Sequence, residues 1–474
     1  MGSDAELWRA GAVELAARIR NREIKPSEAV DAVLARVEDR NPGLNAITVD
    51  LSVQARAAAA AADDAVTAGG PLGPLHGVPV TIKENVDQAG LSNPNGVPAM
   101  ADLIATDDAP LVRNLTAAGA IVIGRTNVPE FSMRGTTENP LRGRTHNPWG
   151  DPLSAGGSSG GAGSACAAGM GPIHHGNDIG GSLRFPAMTN GVTTVKPTSN
   201  RVPVFNGTAS AERGPLAQVM SVQGIIARHA EDVRAATRVM IEPDPRDPLS
   251  PPVPFDGPAI EGPITVAVTT ESAGYDLHPG IAELVERAAT QLGDAGYRVV
   301  RVDPPPVVEA AKGWFSTFST EMKSALAPAI EEYGSPVIND IFGWYFDISE
   351  LTDLDGYIAG FADRTRLMRQ WNLFLDEHPL LLCPFMMRPT YDHDYDSRGL
   401  AEVKDFFDSS IYSTGINYLG LPAGVIGMDL VEDRPAAVQV IGRRFREDTI
   451  CDALGAIEER NGVLAHRLWA RDDG

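Results

Sequence analysis

Residues 154–186 read SAGGSSGGAGSACAAGMGPIHHGNDIGGSLRFP and hold two glycine-flanked serine sites, at Ser158 and Ser182, in one segment. A serine hydroxyl is a poor nucleophile until a neighbour takes its proton. Glycine beside it opens backbone conformations closed to other residues and lets successive N–H groups converge on one point. Ile179, Gly180, Gly181 and Ser182 could therefore supply both a nucleophile and the donors that stabilise its oxyanion. Other readings of the stretch must be weighed. A phosphate loop would need G-x-x-x-x-G-K-[ST], or G-x-G-x-x-G opening a helix after a strand, and neither occurs. The pattern G-x-S-x-G around Ser158 matches a nucleophile elbow, but an elbow needs a buried strand before the serine, and NPWGDPLSA precedes it. A flexible Gly/Ser linker stays open beside catalysis, although Asp178, Arg184 and Phe185 interrupt it.

The other residues with chemical potential are fewer. Lys83 follows the apolar run Val78–Ile82 and would end a buried strand, yet by residue type alone a lysine is normally exposed. Glu84 reads as a solvated or supporting group, and Asp178 with Arg184 as a pair that holds the serine loop. His174-His175 and Tyr391-Asp-His-Asp-Tyr395 lack the spacing of a metal site, and His76 and His146 read as loop residues. No metal ligand set is expected.

Composition bounds the rest. A chain of 474 residues with 43% hydrophobic and 22% charged residues is an ordinary globular sequence. A net charge of −22 argues against a nucleic-acid groove, which needs clustered Lys and Arg. Three scattered cysteines, Cys166, Cys383 and Cys451, form no disulfide framework or Cys-rich zinc site. The N-terminus carries charge throughout, so no signal peptide is expected, and no run reaches the roughly 18 apolar residues of a membrane span. The expected location is the cytoplasm.

The elements that must position these groups follow from periodicity. Residues 1–70 read as a helical segment, with its third helix from about Leu51 to Thr67. A strand is expected over 77–82, a helix over 110–118 and a strand over 120–124, then a punctuated stretch to about Pro197. Further strands are expected at 264–268, 299–302, 380–383, 423–428 and 437–441, with a helix over 281–295 and a surface loop over 243–258. Residues 307–378 read as mostly helical and carry Trp314, Phe315, Phe318, Phe342, Trp344, Tyr345 and Phe346, which at helical spacing read as core. The alternation predicts an α/β fold, a mixed twisted sheet covered by helices in one domain spanning 1–474.

Taken jointly, these residues carry a resemblance. Gly156-Gly-Ser-Ser-Gly-Gly161 followed by Asp178-Ile-Gly-Gly-Ser-Leu-Arg-Phe-Pro186 resembles the signature of the amidase signature family, with the family's spacing from Ser158 to Ser182. Gly77–Asn85, Arg125–Glu130, Asn147–Trp149, Asn417–Pro422 and Val438–Phe445 resemble its other blocks, so the similarity covers nearly the whole chain. It implies Ser182 as nucleophile, Ser158 as bridging serine after a cis peptide, and Lys83 as ultimate base. Ile179, Gly180 and Gly181 would form the oxyanion hole. Phe131, Ser132, Met133 and Gly157 would bind substrate beside the helical region 307–378. The implied reaction cleaves a small carboxamide, anilide or related acyl compound, with hydrazides, carbamates and esters open, through an acyl-serine. No metal or cofactor is implied, and a homodimer is common among such proteins. Two alternatives are the glutamine-hydrolysing subunit of a tRNA-dependent amidotransferase and a silent binding protein using the same cleft. Asn177 departs from the family's usual threonine, Arg125 from its usual lysine, and His174-His175 is atypical.

Overall fold

Strands that are covered on both faces read as apolar runs instead of alternating ones, and Pro79–Lys83, buried at every position, is such a strand. The computed structural model describes residues 4–472, so the ends of the expected 1–474 domain and of the 1–70 segment lie outside the described residues. Eleven strands form one mixed sheet. In chain order they are β1 (Ile47–Asp50), β2 (Pro79–Lys83), β3 (Ile121–Thr126), β4 (Ile173–Asp178), β5 (Thr193–Lys196) and β6 (Val222–Ala227). They continue with β7 (Thr265–Val268), β8 (Arg298–Arg301), β9 (Leu380–Pro384), β10 (Ala423–Val431) and β11 (Arg434–Gly442). Their order across the sheet is β1-β3-β2-β4-β6-β5-β10-β11-β9-β7-β8. The pairs β3–β2, β2–β4, β9–β7 and β7–β8 are parallel. The remaining pairs are antiparallel.

The two faces bury separate cores. Along β9, Leu381 and Cys383 join one core while Leu380 and Leu382 join the other, as a period of two requires. The first core packs helices Gly160–Ala167, Arg184–Asn190, Ile411–Leu419 and the helical region from Val307 to Glu377. The second packs Ala12–Arg20, Ala230–Met240, Pro279–Asp294 and Glu447–Asn461. The α/β class, the mixed sheet and its helical cover are as expected, and so is the helical character of 307–378, broken by a π-turn at Trp314–Phe318.

Several elements differ from expectation. The N-terminal segment is not wholly helical, because Ile47–Asp50 pairs antiparallel with β3 as the sheet's edge strand. The stretch from Gly124 to Pro197 contains helix Gly160–Ala167 and strands β4 and β5. The helix is all small residues because its neighbours come close: a Cβ at Gly161 would stand 2.5 Å from the Asn127 amide nitrogen. All three cysteines are buried and free, and burial pushes each thiol up to about 12. No helix among the described residues is long and apolar enough to cross a membrane.

Candidate active site

The parallel neighbours β2 and β4 end side by side, and their last residues deliver Lys83 and Asn177–Asp178 to one place. Lys83 is fully buried at the end of its apolar strand. Its Nζ lies 2.7 Å from Ser158 Oγ, 2.7 Å from Asn177 Oδ1 and 3.0 Å from Ser159 Oγ, within hydrogen-bond reach of all three. No carboxylate pairs with it among the described residues. Burial pushes the amine well below its ordinary value, and the charge of Asp178 opposes this only in part.

Ser158 follows a cis Gly157–Ser158 peptide at the start of helix Gly160–Ala167. Gly157 has no room for a side chain, since a Cβ there would lie 2.2 Å from the Arg134 carbonyl oxygen. Ser182 opens onto the same cleft as Ser158. The two serine segments are tied by Ser159 N–H donating to the Ser182 carbonyl at 3.2 Å. Ser182 Oγ makes no hydrogen bond among the described residues, so the Ser158–Ser182 contact expected for a relay is not formed in these rotamers.

The loop carrying Ser182 is held by a buried ion pair. Arg184 donates to both oxygens of Asp178 at 3.1 Å, and also to Gln439 at 3.0 Å and to Asn417. Burial alone would raise the Asp178 carboxyl, but Arg184, Lys196 and Asn417 hold it down at about 2. Asp178 accepts from the N–H groups of Gly181 at 2.8 Å and Leu183 at 3.1 Å. This departs from the sequence expectation: the Gly181 N–H serves Asp178 and is not free for an oxyanion. The Ile179 carbonyl accepts from Trp314 Nε1 at 3.3 Å and the Gly180 carbonyl from Ser413 Oγ at 2.8 Å. A trans peptide points its N–H opposite to its C=O, so Trp314 fixes the direction of the Gly180 N–H. The N–H groups of Ile179, Gly180 and Ser182 have no protein acceptor among the described residues. Gly181 sits at φ +129°, which an L side chain rarely adopts, and a Cβ would meet the Phe185 ring at 2.3 Å.

A cleft of about 480 Å³ opens from Ser158 and Ser182. Phe131, Met133, Phe318, Met322 and Leu326 give it an apolar wall, and Asn85, Ser132 and Asn177 a polar strip. Phe131, Ser132 and Met133 line the cleft, and the region 307–378 contributes Phe318, Met322 and Leu326 to it. Phe131 and Ser132 are consecutive residues at φ 54° and 57°, the kind of local strain that concentrates at functional sites. Gly157 is not part of the lining.

The remaining sequence candidates have structural roles. Glu84 is buried and bonded to Arg142 at 2.5 Å. Burial lowers His174 and His175 to about 3, so both are neutral. His175 Nδ1 accepts from the Lys83 backbone N–H at 3.3 Å, and its Nε2 meets Gln223 at 2.9 Å. His393 lies 3.0 Å from Glu138 and 3.3 Å from Asp394, a trio whose ligand atoms are close enough to hold a metal. Arg134 also binds Asp394 at 2.9 Å, placing a fixed cation against the trio. Sequence reasoning did not find Ser159, Trp314 or Ser413. Ser159 stands next to a recognised serine, but the other two come from distant helices and left no local signal.

Residues 28–451 match the model of the family described as Amidase. An indoleacetamide hydrolase of Bradyrhizobium diazoefficiens is 48% identical over 468 residues, 98% of this chain and 89% of that protein. A glutamyl-tRNA(Gln) amidotransferase subunit of Moorella thermoacetica is 30% identical over 482 residues, 96% of this chain and 97% of that protein. The crystal structure of a bacterial aryl acylamidase superposes with a TM-score of 0.83 at 25% identity, covering 97% of each chain. The chain belongs to the amidase signature family, and it is a hydrolase of amide C–N bonds.

Proposed function

We propose that this amidase hydrolyses a small primary carboxamide on an aryl-bearing acyl group, of the indoleacetamide kind, through an acyl-enzyme on Ser182. The observation that carries the chemistry is the Lys83 amine, buried with no carboxylate paired to it among the described residues and 2.7 Å from Ser158 Oγ. Burial favours the neutral form of such an amine, and a neutral amine can accept a proton. After a χ1 rotation that brings it to Ser158, Ser182 Oγ attacks the amide carbonyl carbon. Its proton passes to Ser158 Oγ as the Ser158 proton passes to Lys83 Nζ. The oxyanion is met by the N–H groups of Ile179, Gly180 and Ser182, which have no protein acceptor among the described residues. Collapse breaks the C–N bond, the relay returns the proton to the departing nitrogen, and ammonia leaves. Water then attacks the acyl-serine with the same relay running again, releasing the carboxylic acid and restoring Ser182.

The substrate class is supported by the 48% identity to an indoleacetamide hydrolase and by the apolar wall of Phe131, Met133, Phe318, Met322 and Leu326. The amidotransferase reading has the weaker support of 30% identity. A cytoplasmic setting suits three free buried thiols. The expected homodimer rests on the family resemblance, and sedimentation of the purified chain decides it. The test of function is a panel of amides varied separately in acyl and amine parts, given to the protein purified alone. Turnover should be fastest for arylacetamides with an unsubstituted NH₂. A fluorophosphonate should label wild type, and labelling should vanish in Ser182→Ala. Labelling of Ser182→Ala, or no turnover of any amide by the protein on its own, defeats the reading.

A further inference from the structure

A neutral lysine amine has two protons to give and one lone pair to receive with, so three oxygens around it cannot all play the same part. Lys83 Nζ has three such neighbours: Ser158 Oγ, Asn177 Oδ1 and Ser159 Oγ. An amide oxygen only accepts, so Asn177 must take one amine proton. The orientation of the Asn177 amide follows from its other end. Its Nδ2 donates to Asn85 Oδ1 at 2.9 Å, and Asn85 Nδ2 donates to Ser132 Oγ at 2.9 Å. The Ser132 hydroxyl in turn donates to Asn95 Oδ1 at 2.6 Å. This polar strip keeps the Asn177 oxygen turned to the lysine.

Ser159 is similarly committed. Its Oγ lies 3.4 Å from the Asn177 carbonyl oxygen, the acceptor for its own proton, and 3.4 Å from the Asn177 N–H. It is left to accept the second amine proton. Of the three neighbours only Ser158 still has a proton to offer, so the lone pair of Lys83 falls toward Ser158.

We propose that Asn177, assisted by Ser159, is a positioning residue that aims the lone pair of the neutral Lys83 amine at the Ser158 hydroxyl. This rests on the reading of Lys83 as the base. The charged and titratable groups facing the amine are few and engaged elsewhere. Asp178 beside it is bound by Arg184 and Asn417. His175 hydrogen-bonds the Lys83 backbone N–H and Gln223, and Glu84, next to Lys83 in the chain, is bound by Arg142. On β3, Arg125 donates to the carbonyls of Ser92 and Val86.

The test measures the rate of Ser182 labelling by a fluorophosphonate against pH, a readout that needs no knowledge of the natural substrate. In wild type the rate should rise with pH along one ascending limb as Lys83 loses its proton. Asn177→Asp sets an anion against the amine and should move that limb alkaline by about one pH unit or more. Asn177→Leu keeps the volume without the acceptor; its plateau rate should fall about tenfold or more, with no alkaline movement of the limb. The limb in Asn177→Asp reports that residue 177 faces the amine, and the plateau in Asn177→Leu that its oxygen positions it. A limb that stays at the wild-type position in Asn177→Asp, or a wild-type plateau in Asn177→Leu, overturns the proposal. If Asn177→Asp does not fold, the Leu variant decides alone. Lys83→Ala separates the two levels: labelling at the wild-type rate there removes the base assignment itself, whereas an inert Lys83→Ala with an unmoved Asn177→Asp limb removes only the positioning role.

Discussion

At the residue scale, a side chain far from the serines sets a backbone donor. Trp314 holds the Ile179 carbonyl at 3.3 Å, and the planarity of the next peptide then aims the Gly180 N–H. Under the proposed mechanism that N–H meets charge only as the oxyanion develops, so loosening it should affect the chemical step more than binding. Trp314→Phe keeps an aromatic ring and removes the donor. It should lower kcat about tenfold and leave KM within about twofold, checked by steady-state kinetics on an arylacetamide. A change confined to KM would show that Trp314 acts only as pocket wall. Lys83 was read as the base through the family resemblance; the apolar run before it placed it at a strand end, but by residue type alone a lysine reads as exposed. Trp314 could not be read, since in a helix rich in aromatics its ring looks like core, and its N–H finds a partner only through tertiary approach.

At the element scale, the nucleophile loop is shaped by two opposite charges removed from water together. Asp178 and Arg184 are both fully buried, and each is hydrogen-bonded several times over. Removing one member of such a pair strands the other, at a cost of about 3–5 kcal/mol. Arg184→Met should therefore lower thermal stability sharply and leave no labelling of Ser182. Adding Asp178→Asn should restore much of the stability, seen by calorimetry, without restoring activity, because the loop loses the carboxylate that holds two of its N–H groups. A single variant as stable as wild type would contradict this account. The pair was legible from the sequence as a loop clamp; its consequence for Gly181 was not, since that N–H meets Asp178 only once the loop has turned back on the strand end. Strand β4 was hidden for a plainer reason. Ile173-His-His-Gly-Asn-Asp178 has one aliphatic residue in six and no alternation, and it is a strand because β2 and β6 flank it and bury it. In β1, four residues at the sheet edge gave too short a pattern to stand out from the helices around them.

At the scale of the molecule, the buried amine of Lys83 is a stability cost that the fold carries. Its value is depressed in the native state, mainly by desolvation, while in the unfolded chain it keeps an ordinary lysine value. Between those two values the unfolded chain binds the extra proton, so this group makes stability rise with pH across that window. Below the depressed native value both states are protonated, and the folded protein bears the full cost of a buried ammonium. Lys83→Met removes the group. The melting temperature of the variant relative to wild type should be most favourable at acidic pH and lose ground steadily as pH rises toward about 10, while activity is absent throughout. A constant difference from about pH 6 to 10 would mean that the amine titrates as an exposed lysine does. The sheet's class and most strands in its second half were readable because both faces are covered and the strands show as apolar runs. The strand order was not, because neighbours such as β5 and β10 meet across more than two hundred residues.

That separation has a temporal side. Arg184 is gripped by Asn417 and Gln439, and Gln439 sits in the strand that closes the middle of the sheet. A nascent chain emerging from the ribosome holds Lys83, Ser158 and Ser182 long before it holds these two partners. The clamp on the nucleophile loop is thus complete only when synthesis is nearly finished, and a chain that stops short of Gln439 lacks one of the groups that grip Arg184.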